Sequence, residues 1–150
     1  MLERKIDDIE FGIILPKYDN SGRKIDPKFH EEIAEEMSKN FGGVTVIPTI
    51  LGCWVGENGK LQCEENVLMF SIRDTESIEK GKNINEVINE DRKFMWELGK
   101  KAGKIFGQAS IMELQGKTEA TFIEGKYEKK LKKSKLFIPK VDRNIFEKLI

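Results

Sequence analysis

FGGVTVIPTILGCWVGENGKLQCEENVLMFSIRD, residues 41–74, holds the pattern that decides the fold. Two β-rich apolar runs flank Asn58-Gly59. Asn-Gly between such runs is the strongest short-range hairpin signal, because both residues tolerate the positive φ of a type I′ turn. A long β-hairpin is expected. With Asn58 and Gly59 as a two-residue loop, Glu57 faces Lys60, Cys53 faces Glu64 and Cys63 faces Trp54. The two sulfurs then point to opposite sheet faces and no bridge is expected, although a one-residue bulge would bring them level. Pro48 cannot donate to a ladder, so its strand belongs at a sheet edge or is bulged there. The second strand, centred on Val67 to Ile72, is apolar on both faces and belongs in the middle of a sheet.

Working outward, Glu10 to Leu15 (EFGIIL) reads as a first strand, again apolar on both faces, and Pro16 stops it. Asp26-Pro27 opens a helix as N-cap and first helical residue. Its buried stripe is Phe29, Ile33 and Met37, and glycine at its exit, Asn40 to Gly43, can take the left-handed conformation. After a polar linker, a second helix spans about Asn85 to Phe106, with Val87, Ile88, Phe94, Met95, Leu98, Ala102, Ile105 and Phe106 at helical spacing and Gly107 closing it. Ser110 to Gln115 and Thr118 to Glu124 flank Gly116-Lys117, a pair suited to a type II′ turn, which predicts a fourth strand and one further strand beside it.

The order β-α-β-β-α-β is that of the split βαβ, ferredoxin-like α+β arrangement: an antiparallel sheet with two helices on one face, here with an extra C-terminal strand. Residues 1–125 form this domain, and residues 126–150 form a basic C-terminal arm ending in a short amphipathic helix. Helices cover only one sheet face, so the apolar second face needs a cover, either the arm or another protomer's sheet. A homo-oligomer is expected ahead of an arm folded back.

The first strand, the helix exit FGGVTV, the turn GENGK and the strand EENVLMF together resemble a group of small uncharacterised ferredoxin-like α+β proteins of prokaryotes and their viruses, over residues 10–124. The resemblance implies the fold, supplies no activity and transfers no site residue. The basic arm lies outside it.

At 150 residues the chain fits one domain with a real core. The 39% hydrophobic and 35% charged residues are those of a soluble globular protein, and no apolar run approaches the roughly 18 residues of a membrane span. The acidic start MLERKIDDIEFG lacks the apolar core of a signal peptide, so a cytoplasmic location is expected. Net charge is zero but uneven. Seven lysines against Glu128 give residues 126–140 a net +6, which leaves −6 on residues 1–125. Such an arm can dock on its own body, on a second copy or on a polyanion.

No catalytic constellation stands out, and neither a metal nor a cofactor is expected. His30, the sole histidine, has no nucleophile or further ligands around it in sequence and reads as a surface or boundary residue. Gly99 and Gly103 sit one turn apart in a helix interior, where each costs ~1 kcal/mol relative to Ala. Close approach of a strand, a second helix or a ligand would offset that cost. The leading expectation is a non-catalytic, oligomeric binding protein that holds or sequesters a small anionic ligand, such as a nucleotide, between protomers, with Arg73, Arg92, Lys100 and Lys104 supplying charge and Trp54 a stacking surface. An alternative is nucleic-acid binding through Lys129, Lys130, Lys132, Lys133 and Lys135. A third is a small enzyme that uses carboxylates of the last hairpin, Glu113, Glu119 and Glu124.

Overall fold

A computed structural model describes residues 3–108, 110–123 and 145–150. Its elements are β1 (Glu3–Pro16), α1 (Pro27–Phe41), β2 (Thr45–Val55), β3 (Leu61–Arg73), a 3-10 turn (Thr75–Ser77), α2 (Ile84–Ile105), β4 (Met112–Ile123) and α3 (Ile145–Leu149). The four strands form one antiparallel sheet in the order β2-β3-β1-β4. The central places of the first and third strands agree with their two-faced apolarity. β2 lies at an edge, and its register slips by one residue between Ile47 and Ile50, around Pro48. Among the described residues no helix is long and apolar enough to cross a membrane.

Local chemistry sets the helix ends. Asp26 caps α1 by accepting a hydrogen bond from the Lys28 amide at 3.0 Å, with Pro27 at the first helical position. Gly42 leaves the helix at φ 87°, in the left-handed region where a side chain would be strained. Asn83 caps α2 through the Asn85 amide at 2.9 Å. At the other end Gly107 donates to the Lys104 carbonyl at 3.4 Å and Gln108 to the Gly103 carbonyl at 2.9 Å, the paired bonds of a Schellman exit.

α1 and α2 cover one sheet face. Phe11, Ile13 and Leu15 of β1 and Val67 and Met69 of β3 pack there against Ile33, Met37 and Phe41 of α1 and Met95, Leu98, Ala102 and Phe106 of α2. Arg73, at the end of β3, binds Asp91 of α2 twice (Nε to Oδ2 2.7 Å, Nη2 to Oδ1 2.8 Å), donates to the Asn40 carbonyl and lies over the Phe41 ring. Asn40 adds a bond to Asp91 at 3.0 Å, so one buried carboxylate ties β3 and both helices together.

The opposite face carries two aligned rows, Ile47–Leu68–Ile14–Met112 and Thr45–Phe70–Gly12–Leu114. No described helix lies on it. α3 packs instead beside α1 and β2, where Ile145, Phe146, Leu149 and Ile150 line a cavity of about 540 Å³ with Val44, Val46 and Pro48. The C-terminal helix therefore folds back onto the helical side rather than over the open face.

Three expectations are corrected. Gly116-Lys117 is not a turn, and the described residues contain no extra C-terminal strand. β1 starts at Glu3 rather than Glu10, and its early half holds residues 117–123 as the continuation of β4, with Glu10 opposite Gly116 and Glu3 opposite Ile123. Gly116 also lacks the positive φ that a type II′ turn requires. Second, the hairpin loop is longer. Gly56 donates to the Lys60 carbonyl, Gly59 donates to the Gly56 carbonyl, and only Gly59 takes a positive φ, 73°. This is a three-residue loop with glycine in the left-handed position. The register shifts by one, Cys53 pairs with Cys63, and the two form a disulfide.

The third correction is His30, which is fully buried. Its Nε2 lies 2.9 Å from the Pro16 carbonyl, and its ring tilts against Phe106 at 4.9 Å. Donation to a carbonyl places the proton on Nε2 and leaves Nδ1, which has no partner among the described residues, as the bare nitrogen. Burial lowers the pKa below its usual value.

The sheet is staggered. β1 pairs with β3 only over Ile9–Pro16, whereas it pairs with β4 over Glu3–Ile14. The β2/β3 hairpin therefore overhangs one end as a two-stranded ribbon, and β1/β4 overhangs the other.

Candidate functional site

α2 crosses above β4, and the two leave between them a cleft of about 530 Å³. It is lined by Trp96, Gly99, Lys100, Gly103 and Lys104 of the helix, by Gln108, Ser110 and Ile111 of the connection, and by Glu113 of the strand. Helical spacing builds its upper wall. Positions 92, 96, 99 and 103 recur every three or four residues and face the same way. Trp96 is 63% exposed, and the Lys100 ammonium stands 5.5 Å from its ring centroid while also pairing with Glu97 at 3.5 Å. Lys104 makes no ion pair among the described residues.

Glu113 forms the floor. It pairs in register with Ile13, which is fully buried, so its side chain shares the helix-covered face. A Cβ at position 99 would stand 2.8 Å from Glu113 Oε1 and 3.2 Å from its Cδ, so the glycine makes room for the carboxyl. At Gly103 the nearest atoms would be the Gln108 carbonyl at 3.4 Å and Ile111 Cγ1 at 3.9 Å, which is ordinary contact. Glu113 Oε2 is shielded from solvent without a hydrogen-bond partner among the described residues. Burial pushes its pKa up to about 7.

Of the residues singled out from sequence, Lys100 and Lys104 meet in this cleft. Arg92 lies further along the same helix. It donates to Asn89 at 3.2 Å and reaches the Gln115 amide, whose oxygen, turned toward it, accepts from Nε at 2.7 Å and Nη2 at 3.0 Å. Arg73 is elsewhere, held by Asp91 with 17% of its side chain exposed. Trp54 is on β2, at the opposite edge of the sheet, 47% exposed. Lys129, Lys130, Lys132, Lys133 and Lys135, together with Glu124, lie outside the described residues. Among the described residues no group of three or more His, Cys, Asp and Glu gathers as a metal site. No sequence signal assigned Trp96 a role, and Glu113 stood out only as one of three carboxylates. The two helix glycines were the signal that pointed here.

No family model and no curated protein matches the chain. Solved structures align with it. A phage SAM lyase in complex with S-methyl-5′-thioadenosine aligns with a TM-score of 0.52 at 15% identity, over 82% of this chain and 95% of the other. The divalent ion tolerance protein CutA1 from Ehrlichia chaffeensis aligns at 0.42 and 8%, over 84% and 89%. CutA from Synechococcus elongatus aligns at 0.45 and 10%, over 81% and 85%. The chain is an α+β protein with a four-stranded antiparallel sheet, similar in fold to the phage SAM lyase.

Proposed function

We propose that the chain is a ferredoxin-like subunit of a homo-oligomer that binds a small anionic ligand without transforming it. The observation that carries this reading is the α2/β4 cleft, where Lys100, Lys104 and Trp96 converge at a size suited to a small molecule. The apolar face of Ile14, Leu68, Phe70, Met112 and Leu114, on which no described helix lies, supports a second copy as its cover. The phage SAM lyase of similar fold was solved with a thioadenosine, so a fold of this kind can accommodate a nucleoside. Light scattering with native mass spectrometry on freshly purified protein tests both parts. A defined oligomer carrying an extra small mass is the expected result, and a monomer without adduct at high concentration overturns it.

A second reading, a small acid–base enzyme, is favoured by the carboxyl of Glu113 alone. Adding the copurified ligand back to the protein separates the two. The ligand is recovered unchanged if the protein only binds, and is converted if it is an enzyme.

A further inference from the structure

The cleft beside β4 holds a carboxyl in surroundings that disfavour a carboxylate. Glu113 is flanked on the sheet by Ile13, and α2 passes over it at Gly99 with no atom beyond the backbone in the way. The charged groups nearby come from α2: Lys100, already engaged with Trp96 and Glu97, Lys104, and Arg92 on Gln115. β1 contributes only the apolar Ile13, and the connection after α2 contributes the neutral Gln108 and Ser110. None of these groups forms an ion pair with Glu113 among the described residues. A half-buried carboxyl without an ion-pair partner keeps its proton to higher pH, and in that form it is a hydrogen-bond donor with no acceptor among the described residues.

Resting on the ligand-binding reading above, we propose that the cleft is a proton-linked site for a phosphate monoester carrying a flat aromatic ring. The ring stacks on the exposed Trp96, Lys100 and Lys104 take the phosphate, and the Glu113 carboxyl donates its O–H to a ligand acceptor. Each group does what its environment suits it to do. The indole presents a π-face to solvent, the two ammoniums stand one helical turn apart, and the carboxylic acid lies on the floor between helix and strand. Ionised Glu113 would instead repel the anion, so affinity declines as the carboxyl loses its proton.

Calorimetric titration of the full-length protein with adenosine 5′-monophosphate at pH 6.0 and pH 8.5, at constant ionic strength, tests this. A carboxyl titrating near 7 is about 90% protonated at the lower pH and about 3% at the higher, so the association constant should fall about 30-fold if only the acid form binds. Glu113→Gln keeps a donor at both pH values and should lose that fall, retaining only the part due to ionisation of the ligand's own phosphate. Gly99→Ala, which displaces the carboxyl, should flatten the dependence likewise. Wild type and Glu113→Gln with parallel pH dependences would overturn the role of Glu113 while leaving ligand binding intact. Absence of AMP binding up to about 10 mM at both pH values would overturn the ligand class. The oligomer and adduct measurement still decides the broader reading by itself.

Discussion

Gly99 and Gly103 should respond differently to the same substitution. Gly→Ala inside a helix stabilises by ~1 kcal/mol through backbone entropy and propensity. At Gly103 the added methyl meets only ordinary contacts, at 3.4 and 3.9 Å, so most of that stabilisation should appear, reduced somewhat because the residue is in the last turn. At Gly99 the methyl would sit 2.8 Å from Glu113 Oε1, well inside contact distance. The carboxyl end must swing away and give up its place between helix and strand, which offsets the propensity term. The two single variants should therefore differ by about 1 kcal/mol, or about 2–4 °C in Tm for a chain of this length. Urea unfolding at pH 7.0 measures both, in the natural protein and in a Glu113→Ala background. With the carboxyl removed, Gly99→Ala should recover its full ~1 kcal/mol, which makes the coupling between positions 99 and 113 about 1 kcal/mol. Equal stabilisation by Gly99→Ala and Gly103→Ala in the natural protein, or no coupling in the cycle, would refute the packing argument.

Other consequences are as direct. Asp91→Ala strands the Arg73 guanidinium inside the α1/α2/β3 junction and should destabilise by about 3 kcal/mol, read as a lower urea midpoint with unchanged slope. His30 has a folded pKa below its unfolded value of about 6.5, so the unfolded chain binds the proton first and stability should decline as pH falls below 6.5; a ring-proton NMR titration of this sole histidine, with its midpoint below 6.5, checks it. Glu113 has the opposite sign: its folded pKa of about 7 lies above the unfolded value, so its contribution is present below about 4.5 and lost as pH rises through 7, a slope that Glu113→Gln should remove. Replacing both Cys53 and Cys63 by Ser opens a short loop and should destabilise by at most about 2–3 kcal/mol, measured against the oxidised protein in urea.

The coarse architecture was legible because each central strand carries its own evidence. Residues such as Ile13 and Ile14, or Val67 and Leu68, are apolar on successive positions, and Pro48 marks an edge without reference to any other segment. Register was not legible to the last residue. Asn58-Gly59 announces a hairpin equally well whether the loop holds two residues or three, yet that single residue decides whether Cys53 meets Glu64 or Cys63. Gly116 looked like a turn because local signals cannot show that a long partner strand, running back to Glu3, keeps it extended. The site was half visible. The glycines at 99 and 103 advertised a close approach, but what approaches is set by the crossing of α2 over β4, which no linear pattern encodes. Arg73 looked available as a free charge because Asp91, its partner 18 positions away, carries no mark of burial in sequence.

The stagger of the sheet divides its amide hydrogens into classes that exchange with solvent by different routes. Amides of Ile9–Ile14 in β1 have strands on both sides and open only when the whole domain does. The ribbon near Cys53 and Cys63 can loosen but its strands cannot part, since the bridge holds them at a fixed spacing. The ribbon that joins Glu3 to Ile123 brings together segments more than a hundred residues apart and has no such tether between its strands, so it is free to peel from its end. Peeling advances along β4 from Ile123 toward Gly116 and stops short of Glu113, which is paired with Ile13 in the doubly supported part of β1. Deuterium uptake should therefore be fast over residues 117–123, intermediate over 50–65 and slowest where β1 carries the floor of the cleft.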